Sequence, residues 1–250
     1  MKAMVLAAGQ GTRLHPLTEH TPKALVPVAG RPMIEYSLLL LKRYGIREII
    51  INLHHLGDQI ESYLGDGKQW GLQITYSKEP ELLDTGGGLL KAKRFLQDGT
   101  FIVINTDVLI DLSLSDLVAF HEKNRAVATL VLRPDPLADQ FGSMEIDGGG
   151  RIRRFLQTWT AATELSVPTT ELMFTGVQVL EPRVFDYMAP DDTLRKFSTT
   201  KDTYPRMLLH QERLFGFRFG GFWQDVGTTS RIKEAEDSLA AGKARLHYLE

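Results

Sequence analysis

Leu6–Pro32, LAAGQGTRLHPLTEHTPKALVPVAGRP, is the stretch on which the fold turns. Met1–Ala8 is a short β-like apolar run that passes straight into Gly9-Gln10-Gly11-Thr12-Arg13. Glycines let a backbone approach a phosphate closely, and successive N–H groups in a tight turn form a cradle for an anion. Arg13 and Lys23 add the fixed positive charge that a triphosphate requires. A plain strand-to-loop turn would account for the glycines but not for the two cations beside them.

Three other phosphate motifs fail on particular residues. A dinucleotide fingerprint needs a third Gly where Leu14 stands and an acidic residue where Asn52 stands. A Walker A loop needs Gly-x4-Gly-Lys-Ser/Thr, and Gly65-Asp66-Gly67-Lys68-Gln69 lacks both the first Gly and the hydroxyl. A kinase glycine loop needs a catalytic-loop partner that the sequence does not contain.

Outward from this loop, apolar runs alternate with helical patterns. Pro32–Tyr44 reads as a helix with Pro in its first turn, Glu48–Leu53 as a buried strand and Asp58–Leu64 as a short helix. Leu72–Tyr76 is a strand, Gly88–Leu96 a helix and Phe101–Ile104 a buried strand. Ser113 or Ser115 caps a helix running to Lys123, and Val127–Arg133 is again a strand. Such alternation predicts an α/β fold: a Rossmann-like mixed, mostly parallel sheet flanked by helices, with ligands at the strand C-termini.

The second half changes character. Phe141–Ile146 and Ile152–Leu156 flank Asp147–Gly150 (DGGG) and read as a hairpin. Gln157–Glu171 lacks apolar periodicity and predicts a long loop or mobile flap. Leu172–Val179 and Arg213–Phe219 are strands, and Ser230–Ala241 is an amphipathic closing helix. With no linker or repeat, residues 1–250 read as a single domain carrying a substrate-side insertion around residues 134–225.

Composition narrows the function. Hydrophobic residues make up 43% and charged residues 24% of the 250, the balance of an ordinary folded domain. A net charge of −2 without a long basic run marks neither a nucleic-acid surface nor an anionic-membrane surface. The absence of Cys excludes disulfides, thiolate zinc sites and a Cys nucleophile, and fits a reducing cytoplasm. No stretch approaches the ~18 apolar residues of a membrane span. Self-association into a homo-oligomer is left open.

Leu6–Pro32 resembles the signature of the sugar-1-phosphate nucleotidyltransferases, the NDP-sugar pyrophosphorylases. Further matches follow in order: DTGGGLLKA at Asp84–Ala92, INTDV at Ile104–Val108, FTGVQVL at Phe174–Leu180 and FWQDVGT at Phe222–Thr228. Within that family the sequence looks most like mannose- or heptose-1-phosphate guanylyltransferases and N-acetylmuramate-1-phosphate uridylyltransferases. The resemblance implies the nucleotide-diphospho-sugar transferase fold and transfer of a nucleotidyl group from an NTP, GTP or UTP, to a sugar 1-phosphate, releasing pyrophosphate. It implies that Leu6, Ala7, Ala8, Gly9, Gly11, Thr12 and Arg13 wrap the nucleotide, together with Glu79, Thr85, Gly86, Gly87 and Asn105. Lys23 would reach the α-phosphate or the sugar phosphate, so that Arg13, Lys23 and Asp107 form the catalytic set. Asp107 and Asp225 would hold Mg²⁺, which two carboxylates plus phosphate oxygens commonly bind. Gly142, Glu171, Thr175 and Gly176 would line the sugar, although Gly142 is equally a plain strand glycine.

The chain departs from the family at one point. Many members carry a Glu-Lys pair after the strand matching Ile152–Leu156, in contact with the sugar phosphate; here the sequence is Phe155-Leu156-Gln157-Thr158. Glu171 is a substitute for the carboxylate, and no nearby Lys replaces the ammonium. The left-handed β-helix domain of some relatives is not expected. For the base, Glu79 favours GTP over UTP, because an ionised carboxylate only accepts hydrogen bonds and guanine offers two adjacent donors. A nucleotide-sugar-sensing regulator would have lost Arg13, Lys23 or an Asp, and a glycosyltransferase would want Asp-x-Asp where Asp107-Val108-Leu109 stands. His54 and His55, adjacent on an extended segment, point apart and suit no shared metal.

Overall fold

The structure is a computed structural model, and it describes residues 1–136, 138, 143–160, 167–188 and 194–249. The chain divides into two compact units. The first comprises Met1–Leu82, Ile104–Ser113 and Gly221–Glu250; the second comprises Leu83–Val103 and Leu114–Gly220.

In the first unit, strand β1 (Lys2–Leu6) is followed by a two-residue ladder, β2 (Pro27–Val28) and β3 (Arg31–Pro32), and by helix α1 (Met33–Arg43). Strand β4 (Glu48–Leu53), helix α2 (Gly57–Leu64) and strand β5 (Gln73–Lys78) complete its leading part. β4 pairs in parallel with β1 on one side and with β5 on the other. Ala3, Met4, Val5, Ile49 and Ile51 are fully buried. That is why the middle of EIIINL, Ile49–Ile51, is an apolar run: a parallel strand covered on both faces has no solvent side to leave polar. Pro32 opens α1 and Gly45, at φ +74°, follows it, the usual asymmetry of helix ends.

Helices α3 (Asp84–Lys91) and α4 (Lys93–Leu96) belong to the second unit, and strand β6 (Phe101–Asn105) begins there and ends in the first. Strand β7 (Val108–Ile110) lies in the first unit. The second unit continues with helix α5 (Leu114–Lys123), strands β8 (Ala128–Arg133), β9 (Ser143–Asp147), β10 (Ile152–Phe155), β11 (Thr158–Trp159) and β12 (Thr169–Leu180), helix α6 (Tyr204–Leu209) and strand β13 (Leu214–Arg218). Strand β14 (Trp223–Asp225) and helix α7 (Thr229–Ala240) return to the first unit. Within the second unit β12 is flanked by β8 and β9, both antiparallel, β9 pairs with β10 and β10 with β11, while β13 joins β8 in parallel. The protein is therefore α/β with mixed strand pairing and flanking helices, as the alternation of the sequence requires. The parallel pairing is concentrated in the first unit.

Several expectations shift. The helix read from Gly88 starts one turn earlier, at Asp84, because the glycines of DTGGG are helical. The ends of Gln157–Glu171 are strand: Arg154 and Phe155 pair with Trp159 and Thr158 across a tight turn at Leu156 (φ +53°), and β12 begins at Thr169. Residues 161–166 of that segment lie outside the described residues, as do Phe141 and Gly142. The DGGG hairpin forms, with Asp147 Oδ1 accepting from Gly149 and Arg151 N–H at 2.8 and 3.0 Å. Burial would push the Asp147 carboxyl up, but the Arg153 guanidinium and these N–H groups hold it below the usual carboxylate range. Among the described residues no helix is long and apolar enough to cross a membrane.

Candidate active site

The glycine loop leaves β1 between two anchors. Ala7 N–H donates to Asn52 Oδ1 at 2.8 Å, and Asn52 Nδ2 donates in turn to Glu79 Oε1 at 2.8 Å. Thr106 ties down the last residue of β1, its hydroxyl donating to Leu6 C=O at 2.9 Å. Past these anchors the chain opens to solvent at Gly9 and Gln10. The N–H groups of Gly9, Gln10 and Gly11 meet no acceptor among the described residues. Gly11 is left-handed at φ +68°, and an added Cβ would stand 2.8 Å from Thr18 Cγ2 and 3.0 Å from Lys23 Cβ. Thr18 clamps the turn by donating its hydroxyl to Gly11 C=O at 2.8 Å. Glycine is therefore required here on two counts, conformation and space.

The charged residues collect in the same unit. Lys23 Nζ forms a short ion pair with Asp107 Oδ2, the side chains being 13% and 21% exposed. Asp107 occupies the turn between β6 and β7, and its C=O accepts from Val226 N–H at 2.9 Å. β7 and β14 form an antiparallel ladder in which Asp225 faces Val108, the residue after Asp107, which brings the two aspartates together one residue out of step. Asp225 was expected in a loop; it is the last residue of β14, because Trp223–Asp225 finds a partner in β7. Its Oδ1 accepts from Gly227 N–H at 2.9 Å and from the Arg231 guanidinium at 2.8 Å. Arg13 lies against Gly227: a Cβ there would stand 2.6 Å from an Arg13 guanidinium nitrogen and 3.1 Å from Asp225 Oδ1.

The first unit thus brings together Arg13, Lys23, Asp107 and Asp225, and adds Gly227 and Arg231, which sequence reasoning missed. The signal for both lay in DVGTTSR: a carboxylate, a glycine and then a helix whose N-cap Thr228 accepts from Arg231 N–H. Three cations face two carboxylates, which leaves the cluster with a net positive charge, suited to an anion.

The pair of aspartates also fits a hard divalent cation. Lys23 engages one oxygen of Asp107 and Arg231 one oxygen of Asp225, so each carboxylate keeps a second oxygen. Among the described residues no group of three or more His, Cys, Asp or Glu side chains could cage a metal. Two carboxylates with an oxygen to spare suit a divalent cation whose other ligands would be waters and phosphate oxygens.

Glu79, read as a base contact, is buried, and its carboxylate orients Asn52. Its own backbone is held by Leu53 C=O at 2.7 Å and by His54 Nδ1 at 2.8 Å from its C=O. Asn105 ends β6.

The remaining residues singled out from the sequence belong to the second unit. Gly86 and Gly87 N–H both donate to Phe197 C=O, at 2.9 and 3.2 Å. A Cβ on Gly86 would meet the Phe197 ring at 2.3 Å, and one on Gly87 would meet Arg195 O at 2.3 Å. Thr85 Oγ1 accepts from Thr199 N–H at 3.0 Å. Gly86 and Gly87 therefore let the segment Arg195–Thr199 pack closely on α3. Thr175 is buried with its hydroxyl donating to Val131 C=O at 2.9 Å, and Gly176, at φ +90°, sits where the β12–β8 register slips. Such bulges re-aim a strand. Glu171 lies on β12, bonded to Arg154 at 2.8 Å. Gly142 lies outside the described residues.

A family model described as Nucleotidyl transferase matches residues 2–242. The chain is 36% identical to an N-acetylmuramate alpha-1-phosphate uridylyltransferase of Neisseria meningitidis over 97% of its own length and 100% of the relative's. It is 34% identical to a UTP–glucose-1-phosphate uridylyltransferase of Synechocystis sp. over 91% of its length, and 33% identical to a mannose-1-phosphate guanylyltransferase of Mycobacterium tuberculosis over 97%. It spans only 60% and 65% of the lengths of these last two. Among solved structures, HddC from Yersinia pseudotuberculosis superposes with a TM-score of 0.76 at 22% identity, over 95% of this chain and 99% of that one, and so shares its fold.

Proposed function

The chain belongs to the nucleotidyl transferase family, and from that premise we propose that it transfers a nucleotidyl group from an NTP to a sugar 1-phosphate, releasing pyrophosphate. The observation that carries the proposal is the cluster of Arg13, Lys23, Asp107 and Asp225 beside a loop whose N–H groups at Gly9–Gly11 meet no acceptor among the described residues. Those N–H groups and Arg13 hold the triphosphate, as oriented dipoles and a fixed charge hold phosphate elsewhere. Lys23 leaves its pairing with Asp107 to meet the α-phosphate or the sugar phosphate. Reaction between two anions needs positioning and charge neutralisation more than covalent help, so no nucleophilic side chain is required. Asp107 and Asp225 would hold Mg²⁺, which supplies charge neutralisation between the phosphates when bound. Incubation of the protein with each of the four NTPs against a panel of sugar 1-phosphates, with pyrophosphate as the readout, tests the reading. Absence of pyrophosphate from every pair overturns it.

Two nucleobases are in contention, each with its own support. GTP is favoured by the acceptor-only carboxylate of Glu79. UTP is favoured by the uridylyltransferase that this chain matches from end to end, and by the bond that commits Glu79 Oε1 to Asn52. The ratio of kcat/KM for GTP and UTP, in the parent and in Glu79→Gln, separates them. A parent preferring UTP tenfold or more, about 1.4 kcal/mol, overturns the guanine reading.

A further inference from the structure

The ladder between β1 and β4 ends at the pair Leu6–Asn52, just before the chain runs into the glycine loop. Past that rung the hold on the backbone comes from a side chain: Asn52 Oδ1 accepts from Ala7 N–H at 2.8 Å. The other end of the same amide donates to Glu79 Oε1 at 2.8 Å. Glu79 is fixed in its turn, its N–H donating to Leu53 C=O at 2.7 Å and its own C=O meeting His54 Nδ1 at 2.8 Å. Asn52 and Glu79 are 3% and 4% exposed, so this relay from carboxylate to amide to loop runs inside the protein.

An amide side chain has two ends of nearly equal size and opposite hydrogen-bonding character. Ala7 N–H only donates and a carboxylate only accepts, so a single orientation of Asn52 satisfies both. Turned over, the amide would set its NH₂ against Ala7 N–H and its oxygen against Glu79, two mismatches in the interior. Glu79 therefore decides which end of Asn52 faces the loop. Packing gives no reason for this arrangement, since burying a carboxylate and an amide costs free energy that an apolar pair would avoid. What it secures is the direction in which the chain leaves β1. Thr106 grips Leu6 C=O from its own side at 2.9 Å. Two residues beyond Ala7 the loop presents the N–H groups of Gly9, Gln10 and Gly11, which meet no acceptor among the described residues. Donors at an anion site act through their fixed direction, and the anchor just before them sets that direction.

We propose that Glu79 and Asn52 are a positioning pair for the triphosphate: Glu79 orients the Asn52 amide, and Asn52 holds Ala7 so that the loop N–H groups converge on phosphate. This rests on the loop being the triphosphate site of the transferase reading above, and gives Glu79 a role independent of the base. A carboxylate that reads the base discriminates between nucleotides. A carboxylate that acts through Asn52 affects every triphosphate alike, including a phosphate chain that carries no nucleoside.

The experiment titrates the full chain with GTP, UTP and inorganic tripolyphosphate by calorimetry, beside Tm and the KM of the sugar 1-phosphate. Asn52→Asp sets one carboxylate against another and should weaken all three ligands alike, by about tenfold, with the sugar 1-phosphate KM unaltered. Glu79→Gln keeps an oxygen to which Asn52 can donate, so its loss should be smaller. The double variant Asn52→Asp/Glu79→Gln reverses the pair: the new amide donates to the new carboxylate, which still accepts from Ala7 N–H. Affinity for tripolyphosphate should then return to within about twofold of the parent. Should Asn52→Asp fail to fold, Glu79→Gln alone carries the test, through an equal loss for GTP, UTP and tripolyphosphate. Variants that lose Tm but bind tripolyphosphate like the parent overturn the proposal and make the pair structural. A changed preference between GTP and UTP with tripolyphosphate affinity unmoved overturns it in favour of base reading. A double variant that binds no better than Asn52→Asp, or a parent that does not bind tripolyphosphate, overturns it as well. A parent that binds all three ligands yet releases no pyrophosphate with any sugar 1-phosphate overturns the transferase reading and leaves the positioning pair standing.

Discussion

Gly227→Ala isolates the contact between Arg13 and the loop after β14. The glycine's φ lies outside the left-handed range, so alanine fits the backbone without strain. What the new methyl meets first is an Arg13 guanidinium nitrogen, at 2.6 Å where ordinary contact begins at 3.4 Å, so the guanidinium must retreat by about 0.8 Å, while Asp225 Oδ1, at 3.1 Å, has about 0.3 Å to give. That group is the far end of a flexible, exposed side chain, and the folding cost should stay below about 1 kcal/mol. The catalytic cost is larger. A misplacement on the order of 1 Å can cost about a hundredfold in rate, equivalent to roughly 2.7 kcal/mol of transition-state stabilisation. Pyrophosphate release under saturating substrates gives kcat, and a thermal melt gives the stability change. If Arg13 is the only thing displaced, Gly227→Ala should add almost nothing to the loss already caused by Arg13→Ala. Parental turnover in Gly227→Ala, or fully additive losses in the double variant, would refute the reasoning.

Other perturbations follow from the same contacts. Lys23→Ala removes a charged donor and leaves Asp107 without its partner; turnover should fall on the order of a hundredfold or more with the fold intact, and near-parental turnover in a folded variant removes Lys23 from the mechanism. Asp107→Asn and Asp225→Asn should each weaken Mg²⁺-dependent activity, and EDTA should abolish it in the parent; an unchanged metal requirement in both variants places the site elsewhere. His121, buried between Thr129 (2.8 Å) and Glu181 (3.1 Å), is held below its ordinary 6.5 chiefly by burial, which outweighs the attraction of Glu181. A depressed folded-state pKa means that the unfolded chain binds the proton first, so this contribution is present above about pH 6.5 and is lost as pH falls below it. Unfolding free energy measured by denaturant between about pH 7.5 and 5 should decline less in His121→Gln than in the parent; parallel declines dismiss His121 as a cause.

What the sequence made legible, and what it concealed, divide along physical lines. Glu48–Leu53 was readable to the residue because a parallel strand covered on both faces carries an apolar run, here Ile49–Ile51. The glycine loop was readable because Gly11 is needed for its φ and its space, and both needs leave a mark on residue type. β7 and β14 left no such mark. Each is three residues long, and they are separated by more than a hundred positions, so neither carries a period and only the folded chain pairs them. Since that ladder sets Asp107 beside Val226, the meeting of the two aspartates was open to inference from family resemblance but not from spacing. Burial of Glu79 was hidden for a similar reason: it follows the half-exposed strand β5, and the Asn52 amide that donates to its carboxylate inside the protein appears only in the folded chain. The rung from Trp159 to Glu171 was concealed most completely. Its members, Trp159, Arg154, Glu145 and Glu171, are neighbours only through three successive registers, and two of them lie in a segment that reads as a loop because it is rich in Thr and Ala. A departure from a family motif therefore shows where to look in the structure. The sequence departs from the family motif at Leu156–Gln157, and there the fold sets Arg154, whose guanidinium donates to Leu156 C=O at 2.8 Å.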